Sequence, residues 1–220
     1  MAVRLCVTLW ITLSLAPLAG CSSAGGTTGS VFLYKNLPIA DGSAMAGDGH
    51  TVLYKGTPSP LTGIGIRVGD PLREAKLAQT DLSLINIADT KGVGKVRIIS
   101  VVPSLDTKVC EQQTHALSER NKGLDKMVEL ISISIDTPFA QKRFAEEAKI
   151  RNVTFLSDYR EVEFGKAYGL FLKDPHLLTR AIMVVDSRNT VRYLQITPEL
   201  AQLPDMDEAF KFARSLIRTN

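Results

Sequence analysis

Val96-Arg97-Ile98-Ile99-Ser100-Val101-Val102, followed by Pro103-Ser104-Leu105-Asp106-Thr107-Lys108-Val109-Cys110, is the stretch on which the fold turns. The first seven residues are largely β-branched and apolar, the pattern of a central strand covered on both faces. From Val109 to about Lys122 the chain is polar and helix-competent, with a thin apolar stripe of Val109, Ala116 and Leu117. A cysteine in the first turn of a helix that leaves a buried strand faces unpaired backbone N–H groups and the positive end of the helix dipole. Both favour thiolate over thiol. Cys110 is therefore a candidate nucleophile.

Downstream, Met127 to Ile135 is a second apolar strand. A strand–helix–strand crossover makes it the parallel partner of the first. Asp136 and Thr137 supply N-cap chemistry to a helix that opens at Pro138 and runs through Ile150, with Phe139, Ala140, Phe144 and Ala148 on one side. Asn152 to Leu156 is a short strand, and Arg160 to Tyr168 a short helix that Gly169 stops. Arg180 to Val185 and Val191 to Ile196 form a hairpin about Asp186 to Thr190. Asp205 to Arg218 closes the chain as a helix with Met206, Phe210, Ala213 and Ile217 inward. Upstream, Lys91 to Lys95 is a turn and Asp81 to Ile87 a strand. Thr51 to Lys55, with a turn over 56–60, starts an N-terminal β-hairpin. This order is that of an α/β domain with a thioredoxin-like fold, spanning residues 50–220.

The leader sets the compartment. Arg4 is a short positive region, Leu5 to Leu15 an almost unbroken apolar core, and Ala19 and Gly20 are small residues before Cys21. These are the parts of an export signal, and the core is short of the roughly 20 apolar residues of a transmembrane span. Leu18-Ala19-Gly20-Cys21 resembles the lipobox of bacterial lipoproteins. The resemblance implies a signal peptide over 1–20, cleavage before Cys21, lipid on that residue, and a place in the cell envelope at the outer membrane or the periplasmic side. Residues 21–49 read as a flexible tether, Gly/Ser/Thr-rich from Ser22 to Ser30, with a brief apolar patch at Val31 to Tyr34 and a reach of roughly 30 Å. Arg4 is the only charged residue of the signal, so its removal takes the net charge from +3 to +2. With no Lys/Arg cluster, no nucleic-acid partner is expected. The three cysteines, Cys6, Cys21 and Cys110, form no C-x-x-C pair, so neither a dithiol motif nor a metal site is expected.

The Pro103-to-Cys110 run has the form P-S-x-D-T-x-V-C and resembles the peroxidatic loop of thiol peroxidases, a peroxiredoxin subfamily. Ser134-Ile135-Asp136-Thr137-Pro138-Phe139-Ala140-Gln141-Lys142-Arg143-Phe144 is similar to that family's S-x-D-x-P-F-A-Q-x-R-F stretch. Ala167-Tyr168-Gly169 and Arg180-Ala181-Ile182-Met183-Val184-Val185-Asp186 match two further segments. The resemblance runs from about Thr51 to Ile217. It implies a peroxiredoxin-type fold, with Cys110 as the peroxidatic nucleophile and Arg180 as the active-site arginine. Thr107 would turn its hydroxyl toward sulfur and peroxide, and Pro103 would shield the sulfur. It also implies a peroxide substrate, a thioredoxin-like or low-molecular-weight thiol reductant and no cofactor, and is compatible with a homodimer. Each residue also has a plainer reading: Cys110 as an inert core cysteine, Thr107 as a helix cap, Pro103 as a strand terminator, Arg180 as a surface arginine. His50, His115 and His176 read as solvated.

Two departures from the family stand out. Ala145 occupies the position where thiol peroxidases carry a resolving cysteine, which implies a one-cysteine cycle closed by an external thiol. The alternative is an envelope peroxide sensor, or redox-interaction lipoprotein, without steady turnover. Near Gly69-Asp70-Pro71, Arg73-Glu74-Ala75-Lys76 replace the family's aromatic-containing strand, which leaves the packing of that strand open.

Overall fold

A computed structural model of the chain describes residues 31–90 and 94–218. The signal, Cys21, the first part of the tether and much of the Lys91–Lys95 turn lie outside the described residues. In chain order the strands are β1 Thr51–Tyr54, β2 Thr57–Thr62, β3 Lys76–Ala78, β4 Leu84–Asn86, β5 Arg97–Val101, β6 Glu129–Ser134, β7 Thr154–Ser157, β8 Phe171–Leu172, β9 Leu177–Leu178, β10 Ala181–Val185 and β11 Val191–Ile196. The helices are α1 Lys108–Glu119, α2 Pro138–Glu147, α3 Glu163–Tyr168 and α4 Met206–Arg218. One sheet has the order β11-β10-β5-β6-β7-β3-β4 and a smaller one β1-β2-β8-β9.

The deciding stretch folds as expected. β5 is buried along its whole length, parallel to β6 and antiparallel to β10. Side chains alternate across the sheet because successive Cβ atoms point to opposite faces. Ile98 and Val102 join a core under α1, α2 and α4 with Leu117, Phe210 and Ile182. Ile99 and Val101 join a second core on the other face with Phe164, Tyr168 and Met183. Full burial of one such side chain is worth about 1.5–3 kcal/mol, enough to fix the register, since a one-residue slip would exchange the two faces.

Several expectations need correction. Pro58 and Pro60 belong to β2, not to the hairpin turn; β8 pairs only with Leu61 and Thr62, so both prolines sit where β2 has a free edge. The strand expected over Asp81 to Ile87 shrinks to β4. Asp81 accepts from Ser83 N at 3.0 Å, which makes a turn, and Asn86 accepts from Ala88 N to open a 3-10 turn. On α2, Phe139 is 66% exposed whereas Gln141 is fully buried, its Nε2 donating to Ser134 Oγ and Leu156 O at 2.9 Å. Two hydrogen bonds from the amide nitrogen outranked hydropathy there, although Oε1 has no partner among the described residues. Arg73, in the stretch left open, donates to Ile64 O, Ala167 O and Gly65 O and replaces aromatic packing with polar ties.

Residues 32–49, expected as tether, pack on the domain instead. Ala40 N donates to Leu203 O, Ala44 N to Ile196 O and Gly47 N to Gly169 O. Gly169 stops α3 at φ 65°, and a Cβ there would lie 2.5 Å from Gly47 N, so glycine is required twice over. Arg97 is likewise fully buried, although it lies in a run that reads as apolar. Its guanidinium donates to Ile87 O and to Asn189 Oδ1, tying the 87–90 turn to the β10–β11 hairpin.

Asp158 caps α3, accepting from Phe164 N at 3.1 Å and Gly165 N at 2.8 Å. Burial dominates over these donors and pushes its carboxyl up to about 7. An acid whose folded value lies above its unfolded value of about 3.9 binds its proton more tightly when folded, so its contribution is largest at low pH. The stability of the unaltered chain relative to Asp158→Asn should therefore fall as pH rises from 4 to 7 and level off above. Urea unfolding midpoints across that range would measure it; a flat or rising difference would refute the assignment.

Candidate active site

The site lies at the C-terminal end of β5, and the strand order assembles it. Antiparallel pairing sets Ala181, the first residue of β10, against Val101, the last of β5, so Arg180 stands beside the loop that leads to α1. Parallel pairing sets Ile133 against Val101, which brings Asp136, just past β6, level with that loop. Asp136 accepts from Ser104 Oγ and from Leu105 N, both at 2.7 Å. Thr137 alone caps α2, accepting from Ala140 N, so Asp136 is a loop clamp and not the second half of an N-cap.

Cys110 lies in the first turn of α1, is free, and has no exposed surface. Arg180 is 2% exposed, and each of its nitrogens has a partner. Nε donates to Leu200 O at 3.0 Å, Nη1 to Gln113 Oε1 at 2.7 Å and Nη2 to Cys110 Sγ at 3.3 Å. The surface-arginine reading is thereby excluded. Pro103 is buried. Thr107 is exposed and occupies the N-cap position of α1, but its side chain makes no capping bond; its hydroxyl donates to Ser104 O at 3.0 Å. Its one hydrogen is directed at Ser104 O, and its lone pairs remain available as acceptors.

Gln113 is the residue that sequence reasoning missed. It is fully buried one turn after Cys110. Its Nε2 donates to Ser100 Oγ at 2.8 Å, with longer contacts to Val101 O and Ala181 O. Arg180 can only donate, so the carboxamide oxygen must face it. The clue was available: a glutamine three residues from the cysteine lies on the same helix face, toward the sheet. His115 also departs from expectation. It is 5% exposed, stacked on Phe32 at 3.8 Å, with Nδ1 2.6 Å from Glu119 Oε1. His176 is exposed, and His115 is not part of the Cys110–Arg180 constellation. Ala145 lies on α2, partly buried against the core that holds Cys110, and lines a cavity of about 620 Å³ with Lys142, Lys149 and Arg151. Among the described residues no group of three or more His, Cys, Asp or Glu could hold a metal ion.

A cysteine at a helix start, held by a buried arginine from a neighbouring strand on a thioredoxin-like sheet, defines a peroxiredoxin-type redox centre. Residues 68–194 match the AhpC/TSA family. A thiol peroxidase of Halalkalibacterium halodurans is 39% identical over 167 residues, which is 76% of this chain and 99% of the relative. One from Streptococcus pneumoniae is 39% identical over 75% of this chain and 99% of its own length. A peroxiredoxin-like protein of Aquifex aeolicus superposes with TM-score 0.70 at 36% identity, covering 78% of this chain and 98% of that one. The chain belongs to the AhpC/TSA family and is a peroxiredoxin-type peroxidase.

If Gln113 aims Arg180, Gln113→Leu should lower the rate constant for Cys110 oxidation by hydrogen peroxide about tenfold or more, since a buried charged donor left unpaired costs about 1–3 kcal/mol. Gln113→Glu keeps an acceptor but cancels the guanidinium's charge, so it should hold Arg180 in place without restoring the rate. Stopped-flow oxidation alongside circular dichroism separates this effect from misfolding; an unchanged rate in a folded Gln113→Leu protein would rule the role out.

Proposed function

We propose that this protein is a one-cysteine thiol peroxidase of the bacterial cell envelope, held at the membrane by lipid on Cys21. The observation that carries the reading is the buried Arg180 Nη2–Cys110 Sγ contact of 3.3 Å. The Cys110 sulfur attacks one oxygen of hydrogen peroxide or an organic hydroperoxide. An S–O bond forms, the O–O bond breaks, and the departing oxygen leaves with a proton as water or alcohol. Arg180 supplies positive charge and fixed donors where negative charge develops, and a guanidinium can serve sulfur and oxygen at once. Thr107, with its own hydrogen committed to Ser104 O, accepts from the peroxide O–H. Pro103 walls the sulfur and limits water around the reacting atoms.

The product is a sulfenic acid, and its partner must come from outside. Ala145 stands where thiol peroxidases carry a resolving cysteine. The chain's other cysteines are Cys6, in the signal, and Cys21, whose sulfur carries the anchor in this reading. An external thiol, thioredoxin-like or of low molecular weight, condenses with the sulfenic acid to a mixed disulfide and water; a second thiol then releases Cys110 and a disulfide.

After one equivalent of peroxide the intact mass should rise by one oxygen, and Cys110→Ser should abolish the change. Loss of two hydrogens within a monomer would overturn the one-cysteine cycle. Steady peroxide consumption with dithiothreitol, thioredoxin or glutathione is expected; oxidation that stops after one turnover with all three would favour a sensor.

A further inference from the structure

Cys110 presents no surface, yet the sulfenic acid of the proposed cycle has to be met by a thiol larger than peroxide. Attack on sulfur requires approach along the line opposite the S–O bond, so the first turn of α1 must move before reduction. α1 is held on two sides. Toward the sheet, Gln113 is bonded to Ser100, and Leu117 lies in the core. On the other side runs the segment 32–40, which packs on the domain and lies before the family-matched residues 68–194. Lys35 N donates to Gln112 Oε1 at 2.8 Å and Gln112 Nε2 returns a bond to Lys35 O at 2.9 Å. Phe32 stacks on His115 at 3.8 Å, and Tyr34 Oη donates to Glu119 Oε2 at 2.9 Å with Arg120 over its ring. The far end is pinned by reciprocal bonds of Ala40 N to Leu203 O and Leu203 N to Pro38 O, just before α4. α1 itself has no side-chain cap, so its first turn has little hold of its own.

We infer that segment 32–40 is a strap that holds α1 against the sheet and sets how often Cys110 opens to thiols, with Gln112 and Phe32 as positioning residues for the reductive half of the cycle. The inference rests on the peroxidase reading for its biological meaning, but not for its geometry. Hydrogen peroxide, little larger than water, needs only a small side-chain displacement to reach the buried sulfur, whereas a thiol waits for the strap to yield. The strap therefore acts on reduction of the sulfenic acid (Cys110–SOH + RSH giving Cys110–S–SR + H2O) and leaves oxidation alone. The strap lies within the 21–49 stretch that reads as the membrane tether, so the same stretch of chain that places the domain also governs its turnover.

Phe32→Ala and Gln112→Ala in the otherwise full chain provide the test. Phe32 is only half-buried, so its variant keeps the fold even if Gln112→Ala does not. Two rates are followed at the Cys110 peptide by quench and mass spectrometry: labelling of the reduced thiol by 5,5′-dithiobis(2-nitrobenzoate), and reduction of the sulfenic acid by dithiothreitol. Both should rise at least about fivefold, the order expected for loss of one ordinary hydrogen bond or stacking contact. The rate constant for oxidation by hydrogen peroxide should stay within about twofold, a margin well below the same hydrogen-bond effect. Unchanged labelling and reduction in both variants, or oxidation that changes in parallel with them, would overturn the strap. Oxidation of Cys110 in the unaltered chain reads the peroxidase assignment separately, and the labelling arm stands without it.

Discussion

A buried guanidinium is the costliest group in this active centre, and the architecture around it follows from that cost. Removing an ion from water costs several kcal/mol unless its donors are satisfied. Arg180 has no carboxylate partner among its hydrogen bonds. It is held instead by the carbonyl of Leu200, the carboxamide of Gln113 and the sulfur of Cys110. Two of those partners come from α1 and one from the chain before α4, so the arginine sits where three separate parts of the sequence meet. Neutral acceptors do not cancel its charge. What they leave over is directed at the sulfur and at any oxygen beside it, which is where peroxide cleavage accumulates negative charge.

This arrangement makes sheet topology a chemical requirement. β10 must run antiparallel to β5 for Arg180 to emerge at the same edge as the cysteine loop, and β6 must run parallel for Asp136 to reach Ser104 and Leu105. Exchanging either neighbour would send the arginine or the clamp to the opposite end of the sheet. The catalytic loop is thus clamped from β6 and charged from β10, and the helix that follows need not cap itself. Thr107 is free of capping duty and leaves the first-turn N–H groups of α1 without a side-chain partner.

Much of this was legible in the residues. Continuous apolar runs gave β5 and β6 because burial on both faces leaves a strong mark. Pro138 and Thr137 marked the start of α2, and Gly169 the end of α3, because backbone constraints are local. Failures came where a polar side chain buries itself through bonds to distant partners. Arg97, Gln113 and Gln141 look like surface residues by type, and only the fold supplies their acceptors. Asp136 looked like a cap because a cap is the local use of an aspartate before a helix; its real partners are more than thirty residues away. β8 and β9, of two residues each, are too short to carry a periodicity. The N-terminal segment reads as tether because its composition is that of a loop, yet alternate residues suffice for docking: Phe32 and Tyr34 face α1, while Leu33 between them is 83% exposed.

The same comparison separates what the family supplies from what this chain adds. Sheet, loop and Arg180 belong to the resemblance, and the relatives are covered almost end to end. About a quarter of this chain has no counterpart in them, and position 145 on α2 is an alanine, which the proposed one-cysteine cycle takes up. In the proposed one-cysteine cycle the reducing thiol arrives by diffusion, and a buried sulfenic acid gains protection against further oxidation only while it stays closed. Holding α1 more firmly is then an advantage between encounters and a hindrance during them. A segment that grips Gln112 through two hydrogen bonds and His115 through one stack is suited to that compromise, being strong enough to keep the helix seated and weak enough to release without unfolding the sheet.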